Sequence, residues 1–113
     1  MSTNGFIELL DTGSLDQFLR QSDGEPVIIF KHSNSCGISS QAYAQMSKLA
    51  RRMGIVTVQK ARAVSDEIVK RTGVAHETPQ LLIFRKGEVV WTASHGQVRA
   101  EAVETGLQEI SGQ

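Results

Sequence analysis

Cysteine is almost absent from this chain: one residue in 113, Cys36, carries a thiol. An intramolecular disulfide is therefore excluded, and a chain of this length can bury a core without one, so a reducing cytosol is the expected compartment. Any disulfide chemistry must be intermolecular. Long apolar runs are missing too; those present are strand-sized, and no membrane span is expected. The opening residues, Met1 to Gly5, lack the basic start and apolar stretch of a secretory signal. Charge of one sign is also lacking. Twelve basic residues balance twelve acidic ones, so neither nucleic acid nor an anionic membrane is expected as a partner. Pairs such as Arg51 and Arg52, Lys70 and Arg71, and Arg85 and Lys86 read as solvated helix ends and a turn.

What is present fits a single domain over residues 1–113, with 40% hydrophobic residues and neither repeat nor linker. Phe6–Leu9 reads as a short strand, and Ser14–Arg20 as a helix capped by Ser14. Val27–Phe30 is apolar without alternation, the pattern of a central strand covered on both faces. A helix is predicted from Gly37 to Met53, stopped by Gly54, and then a strand over Ile55–Val58. Val64–Arg71 is predicted as a helix ending at Gly73. Gln80–Phe84 and Val89–Thr92 flank the tight-turn sequence Arg85–Glu88 and predict an antiparallel hairpin. The amphipathic segment Val98–Ile110 closes the chain as a helix. The order β-α-β-α-β-α-β-β-α predicts an α/β, thioredoxin-like fold, with a central mixed β-sheet flanked by helices.

Cys36 stands at the junction of a strand and a helix. In the predicted helix Ile38, Ala42, Met46, Leu49, Ala50 and Met53 form one apolar stripe, and Cys36 lies about 110° from its centre. The thiol is thus expected at the helix start and off the core face, although a lone cysteine without such context reads as a small buried hydrophobe. Unpaired N–H groups and the dipole at a helix N-terminus favour a thiolate over a thiol, and Lys31 and His32 are placed to add positive charge. Gly37, Ile38 and Ser39 complete the turn that supports it.

Cys36-Gly37-Ile38-Ser39 has the spacing of a Cys-x-x-Cys redox motif with serine at the second sulfur. Ser39 reads either as a helix residue with its hydroxyl in water or as the occupant of the resolving position. A hydroxyl cannot expel a partner from a mixed disulfide, which favours monothiol exchange. Thr78-Pro79 precedes the strand Gln80–Phe84; Pro79 reads either as an ordinary strand-entry proline or, by fold analogy, as a cis proline facing the cysteine, with the Thr78 backbone pairing with a partner. His32, His76 and His95 are read as surface or hydrogen-bonded histidines, without a metal site: the His76-Glu77 start of a zinc motif is broken by Pro79 and by Gln80 at the second ligand position. Trp91 is expected to cover core surface.

These residues resemble the YtxJ-type monothiol bacilliredoxins, which are thioredoxin-like. The resemblance rests on Phe30–Ser33, on Cys36 with Ile38–Ser40, on Val58–Arg62 with Val64 and Ser65, on His76–Gln80, and on Gly87–Trp91 with Ala93–His95. It implies that Cys36 is the nucleophile, that Thr78 and Pro79 form a cis-proline loop, and that the activity is removal of bacillithiol or a related low-molecular-weight thiol from S-thiolated proteins. The small thiol is then a co-substrate, no cofactor is bound, and a monomer is expected. Gly37 departs from the proline found in several relatives. It makes the motif similar to the Cys-Gly-Phe-Ser of monothiol glutaredoxins, which leaves an iron–sulfur cluster carrier as a second reading and a redox-inactive adaptor as a third.

Overall fold

The computed structural model describes residues 5–49 and 51–111. Along them run β1 (Phe6–Glu8), α1 (Thr12–Arg20), β2 (Val27–His32), α2 (Gly37–Lys48), β3 (Met53–Thr57), α3 (Arg62–Thr72), β4 (Gln80–Arg85), β5 (Glu88–Ser94) and α4 (Ala100–Ser111). Two 3₁₀ turns, Gln21–Asp23 and His95–Gln97, are additions to the order the sequence implies. The strands lie in the order β1-β3-β2-β4-β5. β3 is parallel to both β1 and β2, whereas β4 runs antiparallel to β2 and β5 antiparallel to β4.

β2 is buried at every position, Val27–Phe30 as their unbroken apolar run requires and Lys31 and His32 although they are polar. Because side chains alternate along a strand, it feeds two separate cores. Val27 and Ile29 pack with Leu15, Phe18, Val64 and Ile68 beneath α1 and α3. Ile28 and Phe30 pack with Ala42, Met46, Val103 and Ile110 beneath α2 and α4. Each such fully buried side chain contributes roughly 1.5–3 kcal/mol relative to exposure, so the two cores hold both helical layers to the sheet.

Several boundaries differ from the sequence expectation for local reasons. α1 is capped by Asp11 rather than Ser14: the Asp11 carboxylate accepts the Ser14 N–H at 2.7 Å, and the Ser14 hydroxyl accepts the Asp11 N–H at 3.3 Å. Ser14 is the third helical residue of a capping box, not its cap. α2 stops at Lys48, and Met53 and Gly54 belong to β3. Ala50, part of the expected helical stripe, lies outside the described residues. Gly54 is needed for space rather than for helix termination, because a Cβ there would meet Leu9 Cδ1 at 2.7 Å and Phe18 Cε2 at 3.1 Å. In the hairpin, Lys86 and Gly87 have φ of 53° and 78°, the positive values that a two-residue type I′ turn demands at both central positions.

The register brings distant sequence to one end of the sheet. Lys31, near the end of β2, pairs with Gln80 at the start of β4, and Gln80 pairs with Ser94 at the end of β5. Thr78 and Pro79 therefore enter the sheet beside the strand that leads to Cys36. Among the described residues, no helix is long and apolar enough to cross a membrane.

The close approach at β3 sets a stability test. Gly54→Ala overpacks the contact with Leu9 and Phe18 and is expected to lower unfolding free energy by about 1–3 kcal/mol, read from urea denaturation.

Candidate active site

Cys36 is the N-cap of α2, with extended backbone (φ −118°, ψ 126°), and is half-buried. Its carbonyl accepts the Ser40 N–H at 3.0 Å and the Ser40 hydroxyl at 3.2 Å, so the backbone of the cysteine starts the helix while its thiol makes no capping bond. The preceding loop is tied to the end of β3 by Gln59, a residue the sequence reading did not single out. Gln59 Nε2 donates to Ser33 Oγ at 2.8 Å and to Ser35 Oγ at 3.2 Å, and its Oε1 accepts the Asn34 N–H at 3.2 Å. The signal available was a run of small polar residues, Ser33–Ser35, that has to find partners at a strand end.

Ser39 neither faces water nor stands idle in a resolving position. It is completely buried, and its Oγ accepts the Ser33 N–H at 2.9 Å and lies 2.8 Å from His32 Nδ1. One hydroxyl oxygen therefore ties the loop amide of Ser33 and the imidazole of His32 to the first turn of α2. Burial pushes the His32 pKa below its ordinary value, opposed by a hydrogen bond to the Ser39 backbone. The ring sits between Phe30 and Tyr43, with centroids 5.5 and 5.1 Å away. His32 thus organises the helix start, and at neutral pH it does not supply the positive charge expected of it.

Lys31 corrects the same expectation from the other side. It follows Ile29 on the α1/α3 face of β2, opposite His32 and Ser39, and is fully buried. Its electrostatic neighbours are Asp66 and His76. Burial lowers its pKa from 10.5 to about 8, with Asp66 acting in the opposite direction. Ile38 also lies elsewhere than expected. Ala42 and Met46 are buried as the predicted stripe has them, but the first turn of α2 buries Ser39, and Ile38 is 52% exposed. A Cβ on Gly37 would meet nothing within 4 Å, so crowding does not explain that glycine.

The Thr78–Pro79 peptide is cis. Pro79 is buried and Thr78 half-buried, and the Pro79 carbonyl accepts the His95 N–H at 2.8 Å. His95 itself adopts a φ of 56° where β5 ends, at the same end of the sheet as the cysteine loop. A groove of about 350 Å³ beside the start of α2 is lined by Ile38, Gln41, Gln45, His95 and Arg99. His76 bonds through Nδ1 to Ser65 Oγ at 3.2 Å, and its pKa is lowered by burial and by the nearby charges of Lys31 and Arg62. Trp91 is half-buried against the α2/α4 core, where it closes over Gly106.

Two stability tests follow from these burials. Ser39→Ala leaves the Ser33 N–H and His32 Nδ1 without their shared partner, and a cost of about 1–3 kcal/mol is expected in denaturant unfolding. The folded-state pKa of His32 lies below the unfolded value of about 6.5, so its neutral form contributes fully above that pH and the contribution is lost as pH falls through and below it. For Lys31 the folded pKa of about 8 also lies below the unfolded 10.5, so the charge is a cost at pH 7 that is relieved as pH rises between those values. Lys31→Met is therefore expected to stabilise the protein at pH 7 by about 1–4 kcal/mol, an advantage that shrinks toward pH 10.

Comparison with known proteins bears on the family and the fold. The family model described as monothiol bacilliredoxin BrxC matches residues 7–103. A solved structure, a proposed oxidoreductase with a thioredoxin fold, shares 32% identity and a TM-score of 0.82, covering 89% of this chain and 92% of that one. Thioredoxin from Schistosoma mansoni superposes with a TM-score of 0.75 at 18% identity, over 96% of this chain and 98% of its own. Thioredoxin from Trypanosoma brucei brucei gives 0.76 at 14% identity, over 99% and 96%. The last two share the fold; the family match and the 32% relative carry the thiol oxidoreductase class, and with Cys36 as its one thiol the chain belongs to the monothiol bacilliredoxin family.

Proposed function

We propose that the protein removes a low-molecular-weight thiol, bacillithiol or a similar one, from S-thiolated proteins. The observation that carries this reading is the pairing of a cysteine at the start of α2 with a buried, doubly bonded hydroxyl three residues on. Nothing at Ser39 can attack a disulfide on Cys36, so each bond that Cys36 forms must be resolved from outside the chain.

The Cys36 thiolate attacks the sulfur of the small thiol in a protein–S–S–R disulfide. A Cys36–S–S–R bond forms, the original S–S bond breaks, and the protein thiolate leaves and takes up a proton. One disulfide replaces another, with no net oxidation. A second small thiol, as thiolate, then attacks the R sulfur, releasing R–S–S–R and the Cys36 thiolate. The small thiol is a co-substrate rather than a bound cofactor. In this reading the Thr78 backbone receives the partner's disulfide segment, and the groove lined by Ile38, His95 and Arg99 takes the body of the small thiol. The protein works as a monomer in a reducing cytosol.

The decisive measurement is intact mass after one turnover on a thiolated model protein. One small-thiol adduct on the wild-type chain, and neither adduct nor substrate release with Cys36→Ser, is the expected result. Substrate release without any adduct at Cys36 would sink the mechanism. Anaerobic reconstitution that yields a stoichiometric, Cys36-dependent visible chromophore would instead place the protein among cluster carriers.

A further inference from the structure

The exchange chemistry leaves one buried ionisable group unused. Among the described residues, two buried side-chain atoms have no hydrogen-bond partner, Lys31 Nζ and Gln80 Oε1. One is a donor and the other an acceptor, and they belong to residues directly paired across β2 and β4. Directly opposed residues on one face of a sheet have Cβ atoms about 4.5–5.5 Å apart, well within a lysine's reach of a glutamine carbonyl. A buried ammonium without a partner is a net cost to the fold, and an arrangement that retains one points to a role other than stability.

Gln80 connects this charge to the segment before it. Its Nε2 donates to the Ala75 carbonyl at 3.0 Å, closing the stretch from Ala75 to Gln80 into a loop that contains His76, Glu77, Thr78 and Pro79. The far side of that loop is fixed by the Pro79 carbonyl on the His95 N–H and by His76 on Ser65. The same side-chain amide that holds Ala75 with one end therefore presents its open acceptor within reach of Lys31 with the other.

We propose that Lys31 is a positioning residue for thiol exchange: its ammonium bonds Gln80 Oε1 when a partner engages at Thr78, and so steadies the Ala75–Pro79 segment in the engaged complex. This rests on the exchange reading above for the identity of the partner. The bond is open in the free chain and closed in the complex, so its energy goes to binding rather than to the resting fold. The groups that face Lys31 are Asp66 of α3, whose carboxylate favours the ammonium, and His76 of the loop; Arg62 and Glu77 act on His76 from α3 and the loop. Neutral Lys31 is a weaker donor, so the positioning fades as pH rises through about 8.

The test uses Lys31→Met and Gln80→Leu, singly and together, in the full chain, with S-thiolated model protein as substrate. Lys31→Met is expected to raise KM about tenfold at pH 7 with kcat changed less, the size of one charge-assisted hydrogen bond. The double variant is expected to lose no more than the worse single one. The rate of Cys36 alkylation by iodoacetamide, which uses no partner segment, should stay within about twofold, so a parallel loss of alkylation would overturn the proposal in favour of a general structural role. KM unchanged in Lys31→Met, or strictly multiplicative losses in the double variant, would overturn it too.

A second readout does not depend on turnover. With a peptide thiol trapped as a mixed disulfide on Cys36, the amide NMR signals of residues 75–78 and of Gln80 should shift in the wild type relative to the free chain, and Lys31→Met should remove the shift at Gln80. Equal shifts in the two proteins overturn the coupling. A wild type that forms the trapped disulfide and shows this difference but releases no substrate in turnover would count against the exchange function and not against the Lys31–Gln80 coupling.

Discussion

Much of this structure follows from one constraint: β2 is a strand buried on both faces, so its consecutive residues must serve opposite sides of the sheet. That is harmless for Val27 to Phe30, which divide cleanly between two apolar cores. It becomes consequential at Lys31 and His32, where the chain turns polar before it leaves the sheet. Lys31 is carried to the α3 side and His32 to the α2 side, though they are adjacent in sequence. The strand thereby separates a buried charge from the neutral network at the cysteine helix.

The end of the sheet is tightly held around a thiol that is itself free of capping duty. Gln59 grips the loop before Cys36 from the turn after β3, Ser39 grips it from α2, and the Pro79 carbonyl is fixed by His95 just past the end of β5. Rigid support of this kind reduces the ordering cost when a partner arrives and holds the reacting atom in one place. The half-buried Cys36 and the exposed Ile38 are what the helix start leaves at the surface.

The fold was legible in the sequence because its signals were local and repetitive. The unalternating run of β2, the turn residues Lys86 and Gly87, and the alternation of strands and helices each specify an element by pattern alone. Errors arose where two local rules competed. Gly54 resembles a helix stop, but only the three-dimensional approach of Leu9 and Phe18 explains why a side chain is excluded there. Ile38 fits an apolar stripe, yet the buried face of α2 is set by Ser39, whose hydroxyl is paired within the site. At the site, Cys36 was legible from its strand-to-helix junction. The separation of Lys31 from His32 followed from strand alternation and was available in principle. The grip of Gln59 on Ser33 and Ser35 was not, because it joins residues about 25 apart through side chains whose local pattern is that of any polar loop.

The buried hydroxyl of Ser39 also bears on how such a protein changes. Converting a one-sulfur exchanger to a two-sulfur one looks like a single step at the residue three after the cysteine. Here that residue serves two neighbours at once, the Ser33 amide and the His32 ring, in a space closed to solvent. Sulfur is a weak acceptor and a weak donor, as well as the larger atom, so it replaces neither bond well. The path to a self-resolving enzyme therefore runs through a less stable protein unless the end of β2 is rebuilt at the same time. In the exchange reaction proposed above, dependence on an outside thiol rests on hydrogen bonding beneath the reacting atom, and an evolving lineage would find it costly to leave.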